Sequence, residues 1–219
     1  MIKIACVENH TGFRTFLVRY LEGLPEDYRV YQYTNGKDFT DIFPHENFTP
    51  AIVLMDVRMP EMDGYETTAW LKEHYPSIPV LIFSDIYGPD VIVSLVRSGA
   101  KGHISKNLFM ENNRLVNAIS KIIDGGEYYD DPKMYSFVKE RLALPKESIK
   151  DGIDALTPEE LKVVRYLIHE GTHAEKANHL NIAPETYKTR LSKIFKKLGV
   201  KSSFGLYKKA FSLGLIENY

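Results

Sequence analysis

Cysteine is almost missing from this chain. Its 219 residues hold one, so no disulfide can close within a single copy and a disulfide-stapled fold is excluded. That residue, Cys6, stands in the apolar run Ile4-Ala5-Cys6-Val7, the setting of a small buried strand residue rather than a reactive thiol. Long apolar runs are missing too. None approaches the ~18 residues that cross a bilayer, so no membrane span is expected, and the N-terminus reads as a strand from the start rather than as a leader. A reducing cytoplasm is the expected compartment. No repeat or low-complexity tract is evident. His169, His173 and His179 lack cysteine partners and metal-site spacing and read as surface or capping residues.

Net charge is nearly missing as well, at −1, but the balance conceals an asymmetry. Residues 1–149 carry 16 Lys/Arg against 21 Asp/Glu, whereas 150–219 carry 12 against 8. A polyanion would bind at the C-terminal end. The length suits two domains of ~100 residues, each with a small core.

Short apolar runs occur at Ile2–Val7, broken only by Lys3, at Ala51–Met55 and Val80–Phe83, and at Gly102–Ile104 around His103, with a weaker tyrosine-rich run at Tyr28–Tyr33. They predict five strands. Between them lie helix-spaced apolar sets, among them Phe13, Phe16, Leu17, Tyr20 and Leu21, then Val91, Ile92, Leu95 and Val96, then Leu115, Ala118, Ile119 and Ile122. Strand–helix alternation implies an α/β fold, a five-stranded doubly wound parallel sheet whose ligand site lies at the carboxyl ends of the strands. The residues there are Glu8-Asn9, Asp56, Ser84 and Lys106.

Periodicity fades after Ile123. Residues 125–155 read as a linker with one short helix near Lys133–Leu142, and from Leu156 the pattern is helical throughout. Four helices fit the stretch from Leu156 to Leu215, with starts at Thr157-Pro158-Glu159-Glu160 and Ala183-Pro184-Glu185-Thr186. The expected domains are 1–124, the linker 125–155, and an all-α domain 156–219.

An ionised Asp56 at a strand end, followed by a proline-bearing turn, is placed to act as nucleophile or metal ligand. The segment Asp56-Val57-Arg58-Met59-Pro60-Glu61-Met62-Asp63-Gly64 resembles the phosphoacceptor loop of response-regulator receiver domains, which have a flavodoxin-like fold. Ser84 resembles the family's switch Ser/Thr and Lys106 its invariant lysine. The resemblance implies that Asp56 accepts a phosphoryl group from a sensor histidine kinase, that Lys106 and Ser84 bind phosphoryl oxygens, and that Mg²⁺ is held by Glu8, Asn9, Asp56 and the backbone carbonyl of Arg58. The bland readings are that Ser84 caps a helix beginning near Gly88 and that Lys106 is a solvated strand end.

Three residues depart from the family pattern. Asn9 replaces the second acid of the usual pair, so one charge beside the dication is lost. A surviving deficit of ~1–3 kcal/mol corresponds to Mg²⁺ bound about ten- to a hundredfold more weakly. His103 occupies the place of the family's switch aromatic and reads either as a partly exposed edge-strand residue or as a pH-responsive switch. Asn107 follows the lysine where the family usually has proline.

Pro184–Leu198 sets Tyr187, Leu191, Ile194, Phe195 and Leu198 on one face, and from Pro184 to Lys201 it carries six Lys/Arg against one Glu. With Leu156-Thr157-Pro158-Glu159-Glu160 before it and Lys196-Lys197-Leu198-Gly199-Val200 at its end, the segment resembles the LuxR/NarL-type helix-turn-helix. The resemblance implies double-stranded DNA as partner. Lys188, Thr189 and Ser192 would face base edges, and Arg190, Lys193, Lys196, Lys197 and Lys201 would face phosphates. It also implies a homodimer formed through a last helix at Ser203–Leu213. The segment Gly171-Thr172-His173-Ala174-Glu175-Lys176-Ala177 is about one residue short of the family pattern and Lys176 stands where the family usually has a buried aliphatic, which together suggest a shifted or shortened supporting helix. No second acid/base pair marks an enzyme acting on other molecules. Two regulatory schemes remain, control by Asp56 phosphorylation or phosphorylation-independent control forced by Asn9.

Overall fold

The computed structural model describes residues 1–85, 89–143, 155–168 and 171–212. The chain divides into two compact units, Met1–Asp85 with Leu95–Phe137, and Ile86–Ser94 with Val138–Tyr219.

The first unit is built on parallel strands β1 (Ile2–Val7), β2 (Tyr28–Tyr33), β3 (Ile52–Met55), β4 (Val80–Phe83), β5 (Gly102–Ile104) and β6 (Tyr128–Tyr129). They lie in the order β2-β1-β3-β4-β5-β6. The helices between them in chain order are α1 (Thr11–Glu22), α2 (Gly36–Ile42), α3 (Gly64–His74), α4 (Pro89–Ser98), of which only the residues from Leu95 belong to this unit, and α5 (Arg114–Ile123). β3 and β4 are buried along their whole length, as parallel strands covered on both faces must be. On one face Leu17 and Leu21 of α1 and Leu115, Ile119 and Ile122 of α5 close over Ile4, Leu54, Leu81 and Ile104.

The sheet has six strands where the sequence predicts five. β6 lies in the expected linker and pairs in parallel with β5, Gly102 opposite Tyr128 and His103 opposite Tyr129. Two residues are too few to show an apolar period, which is why the strand is invisible in the sequence. The short helix expected at Lys133–Leu142 is present as α6 (Pro132–Ala143). The rest of the expected linker, 144–154, lies outside the described residues, as does Gly88.

The second unit contains α7 (Pro158–Arg165), α8 (His173–His179), α9 (Pro184–Leu198) and α10 (Ser203–Ser212), with a 3₁₀ turn at Tyr166–Ile168. Capping boxes start two of them, Thr157 with Glu160 at α7 and Thr172 with Glu175 at α8. α9 opens on Pro184 and ends at Gly199, whose φ of +65° is the left-handed cap that glycine adopts without strain. α9 packs against α7 and α8, and α10 packs against α7. Leu161, Val164, Ala177, Tyr187, Leu191, Ile194 and Leu206 form the core. No described helix is long and apolar enough to cross a membrane.

Candidate functional site

Register assembles the site at the carboxyl edge of the sheet. Val7 pairs with Met55, so the next residues on those strands, Glu8 and Asp56, emerge side by side. Phe83 pairs with Ile104, which brings Ser84 and the Ser105-Lys106 segment to the same edge. The Ser84 amide donates to the Ile104 carbonyl at 3.1 Å.

Lys106 joins the two carboxylates. Its Nζ is 2.6 Å from Glu8 Oε2 and 3.0 Å from Asp56 Oδ1, and it lies 5.0 Å over the Phe13 ring. Glu8 is pinned further, its Oε1 accepting from the His10 amide at 2.9 Å and its carbonyl from Arg14 Nη1 at 2.6 Å. Glu8, Arg14 and Asp56 are buried. Burial pushes the Asp56 carboxyl above the ordinary range, against the pull of Lys106 and with a further push from Glu8. For Lys106, burial alone would lower the ammonium's pKa, but Asp56 and Glu8 outweigh it and raise it. Cys6, just behind the pocket, is pushed up to about 12, chiefly by burial.

The loop after Asp56 is held by close contacts. Gly64 starts α3 so near the strand end that a Cβ would stand 2.2 Å from the Asp56 carbonyl oxygen. Asp63 caps α3 through the amides of Tyr65 and Glu66.

The sequence-predicted residues are therefore only partly gathered. Glu8, Asp56 and Lys106 form one buried cluster, and Ser84 is buried at the same edge. Asn9 is exposed beside them, and Arg58 is half-buried in the loop after β3. Lys106 is no solvated strand end, since its side chain is 14% exposed. His103 is 2% exposed rather than a partly exposed edge residue, because β6 covers the edge that β5 would otherwise present. Arg14 was missed, although a basic residue in register with Leu17 and Leu21 on the buried stripe of α1 was a readable signal.

The oxygens available for a cation are the carboxylates of Glu8 and Asp56, the Asn9 amide and the Arg58 carbonyl, a hard donor set of the kind Mg²⁺ takes. Both carboxylates already face the Lys106 ammonium, so the set fits an ion held weakly.

In the second unit α9 presents Lys188, Thr189, Ser192, Lys193 and Lys196 to solvent, with Arg190 half-buried and Lys201 exposed beyond the cap. Lys188 Nζ lies 2.8 Å from Glu185, and the Thr189 hydroxyl donates to the Glu185 carbonyl at 2.8 Å. Lys197, expected at a phosphate, is paired within the unit. Its Nζ is 2.6 Å from the carboxylate of Glu160, whose side chain is 6% exposed, so it braces α9 against α7. Lys176 sits in α8, seven residues long, and donates to the Leu167 carbonyl at 2.9 Å; burial lowers its pKa.

Residues 4–120 match the response regulator receiver domain, and residues 154–210 match the bacterial regulatory proteins of the luxR family. The chain belongs to the NarL/LuxR-type response regulators. Among its relatives, the transcriptional regulatory protein MctR of Rhizobium johnstonii is 26% identical over 99% of this chain and 96% of its own length. The nitrate/nitrite response regulator protein NarL of Escherichia coli is 24% identical over 91% of this chain and 90% of its own. The RcsB structure from Salmonella enterica serovar Typhimurium bound to promoter rprA shares the fold, with a TM-score of 0.68 at 17% identity, covering 95% of this chain and 97% of that one. The acidic pocket lies within the receiver match and α9 within the luxR-family match.

Proposed function

We propose that this response regulator controls transcription by binding double-stranded DNA through α9, under the control of a phosphoryl group on Asp56. The observation that carries the reading is the buried Glu8–Asp56–Lys106 cluster at the carboxyl edge of the sheet. A sensor histidine kinase, or a small acyl phosphate, presents its phosphorus to Asp56. A carboxylate oxygen forms the new P–O bond while the donor's bond to phosphorus breaks with its electron pair on the leaving group. Lys106, charged because of its two carboxylate neighbours, turns to the phosphoryl oxygens, and Ser84 donates to one of them. Asp56, Asn9, the Arg58 carbonyl and Glu8 would hold a weakly bound Mg²⁺, which would supply charge neutralisation. The resulting population shift favours a homodimer joined through α10 that occupies paired half-sites. RcsB, a fold neighbour, is described bound to promoter DNA in the presence of phosphomimetic BeF₃⁻ and as dimers on DNA.

Asn9 favours a second reading. It leaves the pocket one carboxylate short, and the two present already share the single Lys106 ammonium, so that DNA binding would be set by something other than phosphate. Intact mass after incubation with Mg²⁺ and acetyl phosphate separates the two. One phosphoryl group on the wild type and none on Asp56→Asn supports the first reading. An adduct that forms only after Asn9→Asp supports the second.

A further inference from the structure

The segment after α5 lies beyond the receiver match, which ends at residue 120, yet it reaches back into the phosphoacceptor edge. β6 runs in register with β5, His103 opposite Tyr129, so Asp130 comes alongside the end of β5. Its side chain is 5% exposed. One carboxylate oxygen accepts from the Ser105 amide at 2.6 Å, and the other lies 3.6 Å from the Arg114 guanidinium of α5. The approach is built in. A Cβ at Gly102 would stand 2.1 Å from the Tyr128 carbonyl oxygen, so only glycine lets β6 come this close.

The residue between these anchors is Lys106. Before it, the Ser105 amide is held by Asp130; after it, the Asn107 amide donates to Ser105 Oγ at 3.2 Å. A proline after the lysine, usual in the resembling receivers, would restrict the backbone covalently. Asn107 cannot, and the restriction here comes from a carboxylate instead.

We propose that Asp130 is a positioning residue for Lys106: its carboxylate fixes the Ser105 amide and so aims the lysine at Glu8 and Asp56. The assignment rests on Lys106 being the phosphoryl-binding lysine. It also fastens the first residues of the segment leading out of the receiver to the lysine that would move when phosphate arrives.

The test is the acetylation rate of Lys106 in the full-length protein under trace acetic anhydride, read by peptide mass relative to the exposed Lys101 of the same chain. Loss of a charge-assisted hydrogen bond releases the loop, and Asp130→Ala raises the Lys106/Lys101 ratio about tenfold. Asp130→Asn keeps an acceptor oxygen and stays near wild type. A role in stability alone would lower the melting temperature of both variants and leave the ratio unmoved, and that result overturns the proposal. Should Asp130→Ala not fold, amide exchange in the wild type decides. Slow exchange at the Ser105 amide supports the contact, and exchange at the rate of an open loop refutes it. Neither readout needs phosphate. Absence of a phosphoryl adduct on Asp56 would therefore remove the phosphoacceptor reading without changing the ratio.

Discussion

The Lys106 ammonium lies closer to Glu8, at 2.6 Å, than to Asp56, at 3.0 Å. Glu8 thereby acts as a resting counter-ion, and the pocket sets two carboxylates against one ammonium, lacking the further acid that Asn9 replaces. A new carboxylate there would add an unshared anionic ligand. Asn9→Asp is expected to tighten Mg²⁺ by about ten- to a hundredfold, since one partly screened charge pair is worth ~1–3 kcal/mol. Calorimetric titration with MgCl₂ measures it, and an unchanged affinity would place the metal away from this edge.

Gly64 shows how tightly the loop is folded against the strand. Gly64→Ala forces a methyl against the Asp56 carbonyl oxygen, 2.2 Å from the ideal Cβ position. Urea unfolding is expected to register a loss of about 1–3 kcal/mol, and a variant as stable as wild type would mean that α3 starts farther from Asp56.

Cys6 gives a pH-dependent prediction with a definite sign. Its pKa is pushed up from 9.0 to about 12, mainly by burial. The unfolded chain therefore loses the thiol proton first, and this group's contribution to stability, full below pH 9, declines as pH rises toward 12. In native protein at pH 8, iodoacetamide should leave Cys6 unmodified and label it only after denaturation. Rapid native labelling would contradict its burial.

The cations of α9 separate into two kinds. Lys193→Ala removes an exposed charge and is expected to weaken binding to random-sequence duplex DNA, reducing the salt slope by about 0.9. Lys197→Ala removes the partner of buried Glu160. It is expected to cost ~1–2 kcal/mol of stability while leaving the salt slope unchanged. Equal slopes for the two variants would return Lys197 to the DNA-facing set.

Much of this architecture is readable in the sequence because its signals are periodic or tightly spaced. Buried parallel strands are mostly apolar, so β3 and β4, wholly apolar, and β1 and β5, with one polar residue each, stand out, and α7, with a capping box, and α9, opening on proline, announce their starts. Asp56, Glu8 and Lys106 are legible because strand ends place them together. What escapes depends on contacts distant in sequence. β6 has two residues and no period; Asp130 meets Ser105 across 25 positions; Lys197 meets Glu160 across 37. The burial of His103 follows from β6 and was invisible for the same reason.

DNA retention with and without phosphate tests the central claim most directly. The full-length protein would be titrated against a random-sequence duplex pool at fixed salt, untreated and after acetyl phosphate with Mg²⁺, alongside Asp56→Asn and a Lys188→Ala/Lys193→Ala double variant. The account predicts several-fold tighter retention after treatment in the wild type, no change in Asp56→Asn, and weak retention by the double variant in either state. Equal retention before and after treatment, with mass spectrometry showing Asp56 fully phosphorylated, would contradict it.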